Sequence, residues 1–275
     1  MSQSARVSEM SLSMGRASLW LAAAGFLLIA LGTGILSWFP TYGTLEFALQ
    51  SLGPLAIALA VALGWRTHVA RWGWAAFLLF LAGILAYGVM WFAYAVDPGS
   101  LGDPSATQRG FFTVGVGYLC AAIGMFLVMG PKRRQATRAG ASAVPQIEAT
   151  FTQMLIFSLG ALVCAAGAFI WLIPTESKLQ HFSLLIIGWA LVLFSSIAAR
   201  KGLAANVGGP ATVMIILAVF AYWLHYVLDA LPAWMDSDWR QSMHVSGAAF
   251  VFAAIAFVIM ATRQRSVSTQ RKAVL

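Results

Sequence analysis

The chain has 275 residues, of which 60% are hydrophobic and only 9% charged, with a mean hydropathy of +0.82. So little polar surface excludes a soluble globular domain and places the chain in a bilayer. The formal net charge of +8 comes from Lys and Arg scattered through short polar segments, not from a basic domain, so nucleic acid is excluded as a partner.

Crossing a hydrocarbon core of about 30 Å takes roughly 20 apolar residues in a helix. After a short tail (1–17), stretches of that length follow at Ser18–Phe39, Thr44–Gly64, Trp72–Val96 and Gly110–Gly130. A polar segment (131–150) carries Lys132, Arg133, Arg134 and Arg138 and reads as a basic linker. Four more stretches follow it at Phe151–Ile173, Phe182–Ala199, Pro210–Leu231 and Met243–Thr262, and a basic tail (263–275) ends the chain. A spanning segment must satisfy its own backbone hydrogen bonds, so each is expected to be a helix. The first stretch has full length and no small-residue cleavage site, and is read as a retained span. The fold class is therefore all-α: a polytopic integral membrane protein with eight transmembrane helices. Both tails are expected to be mobile.

Charge sets the expected orientation. With the N-terminus in the cytoplasm, Arg6, Arg16, Arg66, Arg71, the linker cations, Arg200, Lys201, Arg263, Arg265, Arg271 and Lys272 are all cytoplasmic. Only Arg109, Lys178 and Arg240 fall outside. The positive-inside rule then puts both termini in the cytoplasm, in a bacterial type of cytoplasmic membrane. Cys120 and Cys164 lie inside spans without metal-type spacing and read as inert thiols. His68, in a basic loop, is expected to be solvated.

The second half reads as a diverged copy of the first. Laying Ile84–Ile123 on Ile216–Ile255 needs no gap and pairs Trp91, Tyr94 and Asp97 with Trp223, Tyr226 and Asp229. It also pairs Gly115 with Gly247 and Ala121-Ala122-Ile123 with Ala253-Ala254-Ile255. Upstream, Trp38–Thr41 resembles Trp171–Thr175, and Glu46, Phe47 and Gly53 can be laid on His181, Phe182 and Gly188. Four spans return the chain to its starting side. The expected architecture is thus two tandem four-helix units, 18–130 and 151–262, in parallel orientation.

Where the first unit has Glu46, Ala93 and Phe112, the second has His181, His225 and His244. On a helix turning 100° per residue, Tyr222, His225, Tyr226 and Asp229 share one arc. Ionisable side chains in spans face the bundle or a water-filled cavity. These six residues are the candidate outward-facing ligand site, with Glu46 and Asp97 facing it across the repeat interface. His225, Asp229 and His244 could ligate a metal, and two of the histidines could ligate haem. The bland alternative is that His181 and His244 are wet interfacial residues and His225 is simply bonded to Asp229.

No phosphate-binding loop, nucleophile elbow or zincin motif occurs, and whether the protein is an enzyme stays open. Three functions fit. The first is permease-like transport or small-ligand binding from the outer side. The second is a redox subunit or membrane enzyme binding haem, metal or quinone, and the third an accessory or assembly subunit of a membrane complex. The expected partners are the lipid bilayer, a small-molecule ligand and, in the third case, another membrane subunit.

Overall fold

The computed structural model describes residues 15–38, 43–129, 151–173, 178–230 and 240–274. The linker expected over 131–150 and most of the first tail lie outside them. Among the described residues all regular structure is helical: α1 (Arg16–Trp38), α2 (Thr44–Leu63), α3 (Trp65–Trp72), α4 (Trp74–Val96), α5 (Pro104–Val128), α6 (Phe151–Ile170), α7 (Lys178–Ala198), α8 (Arg200–Val207), α9 (Gly209–Ala230) and α10 (Arg240–Val274). Eight are long and apolar enough to span a bilayer, and α3 and α8 are short connectors. The chain is a multi-pass membrane protein.

Several helix ends differ from those drawn by hydropathy, for local reasons. α5 starts at Pro104, ahead of Gly110, because Asp103 caps it. The Asp103 carboxylate accepts the Ser105 hydroxyl at 2.7 Å and its N–H at 3.0 Å, and proline at the first helical position lacks only a donor that would be orphaned anyway. Those two bonds hold the Asp103 carboxyl below its usual range. α7 likewise takes in one more polar turn, from Lys178. α10 runs on to Val274, since residues 263–274 contain neither Gly nor Pro to stop it. The stretch read as a basic tail thus continues this last helix as far as Val274.

The sides of each span sort inside out. On α2, Leu45, Leu52, Leu55, Leu59 and Leu63 are exposed, while Phe47, Gln50, Gly53, Pro54 and Ile57 are buried. Lipid offers no hydrophobic drive for helices to associate, so close approach must do that work. Glycine supplies it in matching places. A Cβ at Gly53 would stand 2.6 Å from the Gly25 carbonyl on α1, and one at Gly188 would stand 2.7 Å from the Gly160 carbonyl on α6. α4 and α5 cross in the same way, at Gly83 and Gly117.

Packing makes a ring. Each span lies against its neighbours in sequence, and α10 closes on α1. The α5–α6 and α10–α1 seams are as much part of the ring as the contacts within each half. Across its middle, Tyr87 of α4 meets Phe250 of α10, with ring centroids 6.3 Å apart, and Tyr118 of α5 meets Tyr226 of α9.

The connectors α3 and α8 occupy matching places before α4 and α9. Each ends on a glycine with positive φ, Gly73 at 84° and Gly208 at 96°, where L side chains are strained. His68 on α3 is buried, contrary to its expected solvation, because its ring stacks on Trp72 at 4.5 Å and faces Phe77 of α4.

Candidate functional site

The inward arc of α9 brings Tyr222, His225, Tyr226 and Asp229 together, as the spacing predicts. His225 is buried, its Nε2 lies 3.5 Å from the Asp229 carboxylate and its Nδ1 lies 3.1 Å from the Ser242 carbonyl on α10. Ser242 also gives its hydroxyl to Asp229. Both ring nitrogens therefore face acceptors. A neutral imidazole carries one N–H, so satisfying both contacts takes a second proton, held on His225 or on Asp229.

Below it the ring interior is lined with phenols. Tyr118 on α5 accepts the indole N–H of Trp189 on α7 at 3.1 Å. Its hydroxyl lies 3.4 Å from that of Tyr226. Tyr226 in turn bonds Tyr222, and Tyr222 bonds Tyr87 on α4. Trp189 packs against Tyr222 at 4.6 Å, and Phe250 against Tyr222 at 5.6 Å. Four tyrosines, two from each half, thus join in one line of hydroxyls from Tyr118 to Tyr87, and the rings of Tyr222 and Tyr226 pack against His225.

The other expected site residues point elsewhere. His181 is fully buried in the α6–α7 seam. Its Nδ1 lies 2.7 Å from the Gly167 carbonyl, and its ring sits among Phe111, Trp171 and Phe182. Its Nε2 has no partner. His244 turns outward on α10 and lies against Trp38 of α1, ring centroids 5.9 Å apart. Glu46 does not face α9. It is buried near the start of α2, where its carboxylate accepts the Gly43 N–H and caps its own helix. Asp97 is exposed at the end of α4, where its carbonyl accepts the Ser100 hydroxyl. Among the described residues, no three His, Cys, Asp or Glu side chains lie close enough to hold a metal ion, so His244 does not join His225 and Asp229 as a ligand.

Tyr87, Tyr118, Trp189 and Ser242 were missed from the sequence, since they come from other helices. One signal could have found Tyr87. It follows Gly73 by the same number of residues as Tyr222 follows Gly208. Counting from these glycines pairs the two tyrosines, whereas the identity-based register pairs Tyr87 with Val219. A cavity of ≈ 570 Å³ lies away from this site, at the end of the ring that carries α3 and α8. It is lined by Ala204, Val207, Gly208, Pro210, Ile259 and Arg263, and offers none of the convergent polar groups seen around Tyr222. No protein-family model, curated protein or solved structure matches this chain, which leaves the side chains themselves as the guide to function.

Proposed function

We propose that this multi-pass membrane protein binds a small molecule in the tyrosine-lined interior of its ring and works as a permease-like carrier or ligand-binding protein. The observation that carries the reading is the convergence of Tyr87, Tyr118, Tyr222, Tyr226 and the His225–Asp229 pair from α4, α5 and α9. A buried polar group left without a partner costs about 1–3 kcal/mol. Leucine would fill the same space without that exposure, so polar groups kept in a span mark a pathway or binding site. Tyr222, His225, Tyr226 and Asp229 contact the ligand on this reading, with Tyr87 and Tyr118 completing its wall. His181, His244, Glu46 and Asp97 lie outside the binding surface.

The same proposal takes 18–130 and 151–262 as diverged copies in parallel orientation. The matched Gly25–Gly53 and Gly160–Gly188 crossings support it, as do α3 and α8 with their terminal glycines. It puts the end bearing Arg66, Arg200 and Lys201 in the cytoplasm, following the positive-inside rule.

The test is a thermal-stability screen of the detergent-purified protein against small neutral and charged solutes. At least one solute should raise Tm in wild type and fail to do so in His225→Ala and Tyr222→Phe. If both variants respond to every hit as wild type does, the interior is not the site.

A further inference from the structure

We infer that the cavity at the α8 end of the ring is a binding site for an anionic phospholipid, whose phosphate lies against Arg263. The inference goes beyond the interior site and does not depend on it. The cavity, of ≈ 570 Å³, lies where two spans end. Gly209 starts the span of α9, Arg263 closes that of α10, and both residues line the cavity. It therefore stands at the boundary between hydrocarbon and headgroups. Ala204, Val207, Pro210 and Ile259 give it an apolar wall, and among the described lining residues Arg263 alone is charged.

The first half fills the matching place with rings. Counted from the positive-φ glycines Gly73 and Gly208, Trp65, Trp72 and Trp74 correspond to Arg200, Val207 and Gly209. Trp65 stacks on Trp74 at 5.4 Å, while Trp72 stacks on His68 at 4.5 Å and meets Phe80 edge-on at 5.4 Å. The second half gives up all three tryptophans, and a Cβ on Gly209 would meet open space. Gly208 makes room for charge instead. A Cβ there would come within 2.7 Å of an Arg263 guanidinium nitrogen, so the missing side chain lets the guanidinium lie against the backbone where α9 begins.

Charge selects the headgroup. Arg200 and Lys201 stand exposed on α8, the helix that supplies Ala204 and Val207 to the wall. Among the described residues the acidic ones all stand at the other end of the ring: Glu46 near the start of α2, Asp97 and Asp103 between α4 and α5, and Asp229 near the end of α9. A zwitterionic headgroup would bring its ammonium to an end that offers only cations. An anionic one brings a phosphate alone, and basic pockets between spans hold such headgroups. A soluble anion would gain nothing from the apolar wall, which suits the glycerol and upper acyl carbons of a lipid.

The experiment is native mass spectrometry of the full-length protein in detergent, titrated with dioleoylphosphatidylglycerol or with dioleoylphosphatidylcholine, which differs only in its headgroup. Wild type should bind the anionic lipid saturably and about fivefold more tightly, the contribution of one interfacial cation. Arg263→Gln should remove that preference. Arg66→Gln, at the same end of the ring but on α3, should leave it intact. Gly209→Trp, which restores the ring that Trp74 supplies in the first half, should block the cavity and weaken binding of both lipids. If Gly209→Trp does not fold, Arg263→Gln still decides. No saturable binding, equal affinity for the two lipids, a preference that survives Arg263→Gln, or an equal loss in Arg66→Gln would overturn the inference. Unchanged binding in folded Gly209→Trp would also overturn it, by putting the lipid elsewhere. Displacement of the lipid by millimolar inorganic phosphate would do the same, by marking a site for a soluble anion.

Discussion

At the end of α4, Trp91 and Tyr94 pack on Phe47 at 5.9 and 5.8 Å and on each other at 5.9 Å, and Tyr94 ties down the Ala106 carbonyl at 3.3 Å. Asp97 stands exposed just past the helix. At the end of α9, Trp223, Tyr226 and Asp229 repeat that spacing to different effect. There Tyr226 gives its hydroxyl to the line of phenols, and Asp229 turns back along the helix to His225. The first is an apolar clamp that fixes the entry to α5. The second holds the buried His225–Asp229 pair. What separates them is His225 where the first half has Ala93, together with Ser242, which serves both His225 and Asp229. One imidazole in a span recruits a carboxylate and a carbonyl, because a buried polar group without partners is too costly to keep.

The comparison can be pressed hardest at the helix crossings, which both halves share. Gly53→Leu and Gly188→Leu should each block the close approach, destabilising by about 3 kcal/mol or more and removing folded protein from detergent extracts. If only one of them is tolerated, the two hairpins are not held by the same device. Next comes Asp229→Asn against Asp97→Asn. The first leaves His225 without its carboxylate and should cost about 1–3 kcal/mol. The second, at an exposed position, should stay within about 0.5 kcal/mol. Equal Tm shifts in these two variants would erase the distinction drawn between the ends of α4 and α9. A smaller effect is expected from Tyr118→Phe, which takes away the acceptor of the Trp189 N–H, at about 1 kcal/mol, with the loss read in Trp189 fluorescence. Tyr94→Phe gives up a longer bond to Ala106 and should cost less still.

The spans were legible because a bilayer demands a length and a composition that few other environments do. The His225–Asp229 pair was legible because one-turn spacing is written in the sequence. Tyr87, Tyr118 and Trp189 were not, since they join α9 only through the ring, and hydropathy says nothing about which apolar helix faces which. His181 and Glu46 were misplaced for a related reason. Near the start of a span, a backbone partner can capture a polar side chain: His181 turns into the seam with α6 towards the Gly167 carbonyl, and Glu46 folds back onto the Gly43 N–H that begins its own helix. The start of α5 escaped notice because Asp103 acts through cap geometry that a hydropathy window averages away.

The closing of α10 on α1 sets an order of events during synthesis. Spans enter the membrane from the N-terminus onward, so α1 waits for its last neighbour until seven others have been made. Until then its seam residues Ala30 and Thr33, which later meet Gly247, face lipid or an insertion chaperone. Ser242 is equally late, so His225 and Asp229 enter the bilayer before their shared partner exists. A nascent chain halted before Arg240 would leave the His225 Nδ1 and the Asp229 carboxylate without Ser242, with only each other as partners.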